Sequence, residues 1–179
     1  MIDTTRRRDI GYTIISRCEI SLRNLIVTKL NNLFADFTDG IPSGVLEKVK
    51  ERTNNSEFKH FEEFIENTDF PDLKEICIYK GLYRYYFSSH IISQNEFIEM
   101  MDLLYKIRCK IAHVKGLFSI IDTDELFENV REIAHAMDEY GNELLIFLGK
   151  LEDPVRNGFF IRFCQDFIAN LANKIIEQP

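Results

Sequence analysis

Apolar residues in this chain recur three and four positions apart, a spacing that only an α-helix gathers onto one side. The pattern is plainest in the first forty or so residues, where Ile14, Cys18, Leu22 and Leu25 form a stripe widened by Ile15, Ile26 and Leu33. It predicts one long amphipathic helix from about Thr5 to Phe37, ended by Asp39-Gly40-Ile41-Pro42-Ser43-Gly44. A short helix is expected from about Val45 to Arg52. Ser56 then has the chemistry of an N-cap for a helix carrying Phe58, Phe61, Phe64 and Ile65. The run from Asn67 to Asp72 reads as a turn into a further helix, with Pro71 suited to its first position and Leu73, Ile76 and Cys77 on an apolar side that Tyr79 could extend. Tyr83-Arg84-Tyr85-Tyr86-Phe87 has strand propensity, but no second strand is available to pair with it, so helix or loop is expected. Gln94 to His113 is predicted helical, with an end near Gly116. Asp122-Thr123-Asp124 should begin another helix running to about Leu148 through Leu126, Val130, Ile133 and Met137. Asp153-Pro154 should begin a last one, to about Ile176. The fold expected is all-α: one domain over 1–179, a bundle of two long hairpins with short connecting helices.

Composition narrows the function classes. Hydrophobic residues are 45% and charged residues 28% of the 179, a globular balance. The apolar groups are too short for a membrane span, and no apolar segment follows the basic residues near Met1, so neither membrane nor secretion is expected. A net charge of −7 argues against a broad nucleic-acid-coating surface while leaving room for a local basic site. Cys18, Cys77, Cys109 and Cys164 stand singly with no CxxC pair, so the expectation is free thiols in a reducing cytoplasm and no zinc cluster. His60, His90, His113 and His135 have no mutual ligand spacing, and no metal or other cofactor is expected. There is no Gly-rich phosphate loop, no G-x-S-x-G and no H-E-x-x-H.

The informative stretch is Tyr105-Lys106-Ile107-Arg108-Cys109-Lys110-Ile111-Ala112-His113. At 100° per residue, Arg108 falls near the middle of the apolar stripe made by Phe97, Met101, Leu104 and Ile111. A buried guanidinium must find a carboxylate, lie at a subunit seam, or bind an anion, because left alone it is very costly. Glu19, at the edge of the first helix's apolar face, is a natural carboxylate partner. Glu19 and Arg23 form either an ordinary i,i+4 pair or a support for Arg108. Lys106, Lys110 and Lys115 are either a solvated helix face or a patch that attracts a phosphate backbone.

The segment Arg108-Cys109-Lys110-Ile111-Ala112-His113 resembles the signature of the HEPN superfamily (higher eukaryotes and prokaryotes nucleotide-binding domains): Arg, four to six residues, then His, near a helix end in an all-helical bundle. The Lys-Ile-Ala-His ending, the turn Thr68-Asp69-Phe70-Pro71-Asp72-Leu73, and Glu19 with Arg23 on the first helix add to the likeness, which extends over roughly Gly11 to Leu148. The residue after the arginine is usually polar in these domains, and here it is Cys109. The resemblance implies a metal-independent endoribonuclease, a toxin or host-defence effector working as a homodimer, with two motifs facing one cleft and the RNA 2′-hydroxyl attacking the adjacent phosphorus. In that scheme His113 transfers protons, Arg108 holds phosphate, Glu19 orients Arg108, and Lys106, Lys110 and Lys115 attract RNA. An ideal helix would point Arg108 and His113 about 140° apart, so convergence needs a helix end or a partner subunit. The alternative implication is a noncatalytic HEPN-like module that dimerises or docks a partner, such as an antitoxin or another regulated protein.

Overall fold

The structure is a computed structural model that describes residues 4–36, 38–54, 57–87, 92–112 and 120–151. Among the described residues every regular element is helical, and the fold is all-α. The predicted long helix is α1, Thr4–Leu33. It stops short of Phe37 because the chain turns on Asp36, whose carboxylate accepts both the Thr38 backbone N–H and the Thr38 hydroxyl at 2.8 Å. Ile14, Cys18, Leu22, Leu25, Ile26 and Leu30 are fully buried, whereas Leu33, at the frayed end, is 39% exposed and does not join the stripe.

The short elements follow with two changes. Helix α2 spans Ser43–Thr53. Helix α3 is Phe61–Glu66 with His60, not Ser56, at its cap position. Phe58 lies ahead of the helix, yet it is buried and packs edge-on against Phe64 at 5.3 Å. Its helical spacing from Phe61 and Phe64 thus reflects shared burial rather than one continuous helix. Helix α4 is Phe70–Ile78, closed by a capping box between Asp69 and Asp72, with Phe70 taking the first position and Pro71 the second. Helix α5 is the single turn Tyr83–Tyr86, which resolves the aromatic run as helix, and Tyr83 and Tyr86 face inward.

Helix α6 is described over Gln94–Ala112, and α7 spans Ile120–Ala136. The start of α7 precedes Asp122-Thr123-Asp124, which falls in its first turn instead of before it. The helix expected to continue to Leu148 is broken: a 3-10 turn, Asp138–Gly141, separates α7 from α8, residues 142–151. At this corner Asp138 takes a left-handed φ of 51°, and a Cβ on Gly141 would lie 1.8 Å from the Ala134 carbonyl oxygen. Only glycine lets the chain cross the end of α7 so closely. Leu144 and Leu148 of α8 are buried, and Arg17 of α1 stacks 4.1 Å above the Phe147 ring. The last expected helix, from Asp153-Pro154, lies outside the described residues.

Helix α1 is the spine. It touches α3, α4, α5, α6, α7 and the 3-10 corner, and α6 also packs on both α4 and α7. Among the described residues no helix is long and apolar enough to cross a membrane.

Candidate functional site

The stripe of α6 is buried at Phe97, Met101, Leu104, Ile107 and Ile111. Including Ile107 shifts the centre of that stripe away from Arg108. The arginine side chain is therefore 37% exposed and sits at the stripe's rim, not at its middle as the spacing suggested. What it meets across the rim is Glu19 of α1, with Arg108 Nε 3.8 Å from Glu19 Oε2. The carboxylate partner expected from sequence is thus found at ion-pair range but beyond a hydrogen bond.

Glu19 is held from its other oxygen. Arg23 Nη2 donates to Glu19 Oε1 at 2.6 Å, an i,i+4 pair in which both side chains are 17% exposed. Arg23 is fixed in turn by the chain between α3 and α4. Its Nη1 donates to the Thr68 hydroxyl at 2.8 Å and to the Ile65 carbonyl, and its Nη2 to the Thr68 carbonyl at 2.7 Å. Thr68 is buried, and its hydroxyl donates to the Ile65 carbonyl at 2.7 Å while accepting from Arg23. The relay therefore runs from the α3–α4 turn through Arg23 and Glu19 to Arg108, across three separate parts of the chain.

Two guanidiniums share one carboxylate, so the trio carries one surplus positive charge. Arg23 is consumed by its carbonyl and hydroxyl acceptors, which leaves the surplus on Arg108. Among the described residues Glu19 is the ion-pair partner that Arg108 has, and Nε is the nitrogen that pairs with it. The nearby acids are occupied elsewhere: Asp69 and Asp72 both pair with Arg52 and close the N-terminus of α4. Lys106 and Lys110 are exposed on the same helix as Arg108. Such an arrangement can receive an anion at the Arg108 fork.

Cys109 is partly exposed and reduced. The Tyr105 pKa is raised above its ordinary value, and Cys109, one turn later, is the main cause. The other two described thiols are inert core groups: burial pushes Cys18 up to about 12, with the Glu19 charge adding to it, and burial alone raises Cys77. His60, at the cap position of α3, and His135, in the last turn of α7, are both exposed. His113, Lys115, His90 and Cys164 lie outside the described residues. Among those described, no cluster of three or more His, Cys, Asp or Glu side chains could hold a metal ion.

The sequence placed Glu19, Arg23 and Arg108 together. It missed Thr68 and Ile65, the anchor of Arg23, which lie 45 and 42 residues away in the chain. The buried hydroxyl just before a capping box was the available signal. No protein-family model, curated protein or solved structure matches this chain.

Proposed function

We propose that this protein is a HEPN-like, metal-independent endoribonuclease, a toxin or host-defence effector that acts as a homodimer on RNA. The observation that carries the reading is the Glu19–Arg23–Arg108 trio, in which Arg108 stays partly exposed and meets its described carboxylate partner through Nε at 3.8 Å, beyond hydrogen-bond range. A guanidinium oriented through Nε presents the planar two-donor edge that fits a phosphate and its developing phosphorane. His113, five positions on, is the group of near-neutral pKa that such a reaction needs for proton transfer. In the step proposed, the 2′-oxygen loses its proton to His113 of one subunit and bonds to phosphorus, the 5′-oxygen leaves and takes up a proton, and a 2′,3′-cyclic phosphate remains. The two copies of the motif, brought together across a two-fold axis, supply the acceptor and the donor.

The test is incubation of the protein with mixed RNA in excess EDTA, followed by end analysis. Fragments with 2′,3′-cyclic phosphate ends, absent with His113→Ala, are the expected result. Cleavage unchanged in His113→Ala overturns the catalytic assignment. One observation favours a second reading, a noncatalytic module that docks a partner such as an antitoxin: the position that usually carries a polar residue is the thiol Cys109. Absence of any RNA cleavage by the dimer would move the function to that class.

A further inference from the structure

Away from the Arg108 relay, α1, α5 and the 3-10 corner frame a cavity of about 280 Å³. Leu25 and Met137, both core residues, give it an apolar floor. Lys29 of α1 lines one wall, its Nζ 5.3 Å from the centroid of the Tyr85 ring, and none of the ion pairs among the described residues involves it. The corner lines another wall with two consecutive carboxylates, Asp138 and Glu139. Tyr86 of α5 also lines the cavity; it is 1% exposed, and its buried hydroxyl has no hydrogen-bond partner. Tyr83, on the same turn of helix, makes the contrast, because its hydroxyl donates to the Ile92 carbonyl at 2.8 Å. A phenol buried without a partner gives up its bonds to water and gains none within the fold. Burial, with Cys77 and Tyr85 adding to it, pushes the Tyr86 pKa up, so the hydroxyl stays protonated and able to donate.

We infer that this cavity binds a small zwitterion, an α-amino acid with an apolar side chain, whose carboxylate is taken by Lys29 and the Tyr86 hydroxyl and whose ammonium lies against Asp138 and Glu139. The sorting of charge is the argument. The cation and the phenolic donor come from helices α1 and α5, and both anions come from the corner, so a ligand with one charge matches only one wall and meets like charge at the other. Leu25 and Met137 supply the surface against which the apolar side chain is withdrawn from water. The volume lies just below the range of about 300–1,000 Å³ usual for larger organic ligands, as suits a ligand of amino-acid size. The cavity shares no residue with the Glu19–Arg23–Arg108 relay, and the inference is independent of the ribonuclease reading.

The chain has 4 methionines, so methyl-labelled methionine gives a spectrum in which the Met137 signal is assigned by its loss in Met137→Leu. The full-length protein is titrated with L-phenylalanine and with L-leucine, and in parallel with 3-phenylpropionate, which lacks the ammonium, and phenethylamine, which lacks the carboxylate. At least one of the two amino acids should shift the Met137 methyl and saturate with a Kd on the order of 1 mM or tighter. The two single-charge probes should bind roughly tenfold more weakly or worse, since each leaves one wall without its charged partner. Tyr86→Phe should weaken amino-acid binding by roughly 3- to 30-fold while leaving the melting temperature of the unliganded protein unchanged or higher, whereas Tyr83→Phe should lower it. Lys29→Met should weaken binding of the amino acid and of 3-phenylpropionate but not of phenethylamine. No shift with either amino acid at about 10 mM, well above the expected Kd, overturns the inference. So does binding in Tyr86→Phe equal to that of the unaltered protein, or a stability loss in Tyr86→Phe matching that in Tyr83→Phe, which would make the hydroxyl structural. A single-charge probe bound as tightly as the amino acid overturns the zwitterion assignment.

Discussion

Arg23 and Arg108 share one carboxylate, yet they occupy opposite kinds of site. Arg23 lies within a corner where α1 meets the α3–α4 turn, and it donates to two carbonyls, a hydroxyl and Glu19. Arg108 lies on the rim of α6, a third exposed, with a single long contact to that same Glu19. Hydrogen-bond satisfaction separates the two. A guanidinium whose donors are used up by backbone acceptors ties elements together, and one held through a single edge is left to bind something else. Net charge does not distinguish them, and neither does their place on an amphipathic helix.

The contrast is open to being broken by substitution. On the proposed ribonuclease reading the largest effects fall in cleavage: Arg108→Lys and His113→Ala should each reduce it by about 10²- to 10⁴-fold, with melting temperature nearly unchanged. Arg23→Met should do the reverse. It leaves the Thr68 carbonyl and one Glu19 oxygen without their donor, a loss of about 2–3 kcal/mol and of roughly 5–10 °C in melting temperature by calorimetry. If Arg108→Ala destabilises as much as Arg23→Met, the distinction between the two arginines is wrong.

Next in size is Thr68→Val, which keeps shape while removing the hydroxyl between Arg23 and Ile65. Urea denaturation should show a loss of about 1–2 kcal/mol, largely recovered in Thr68→Ser. The finest measurement is a pair of double-mutant cycles on Glu19→Gln. Coupling with Arg23 should be about 1 kcal/mol or more, and coupling with Arg108 under about 0.5 kcal/mol, since a long, partly solvated pair contributes little. Equal couplings would merge the two regions into one structural network.

Much of this was legible in the sequence, and the failures have local causes. The α1 stripe and the Glu19–Arg23 pair follow from spacing alone, because both are properties of one continuous helix. The break between α7 and α8 did not show, since Met137, Leu144 and Leu148 carry the apolar phase across it without interruption. A single turn of 3-10 helix alters direction while hardly disturbing which side chains face inward. Gly141 was the clue, and its meaning depends on the Ala134 carbonyl it passes, a contact that exists only once the corner has formed. Arg108 was placed too deep because Ile107 was left out of the stripe, and one added residue rotates the buried face. The Thr68 anchor was invisible for another reason: a hydrogen bond across 45 residues leaves no periodic trace.

The central position of α1 also sets a clock on the protein's birth. Its apolar face is covered partly by α3, α4 and α6, and among the described residues α7 and the 3-10 corner add cover that is made later. About 100 residues separate Leu33 from Ala136, so a ribosome adding roughly 5–20 residues per second needs some 5–20 s to supply that later cover. Throughout that interval the flank of α1 destined for α7 is a sticky surface on a nascent chain, open to chaperones and to neighbouring copies on the same messenger. The helix that organises the finished molecule is its greatest hazard while the molecule is being made.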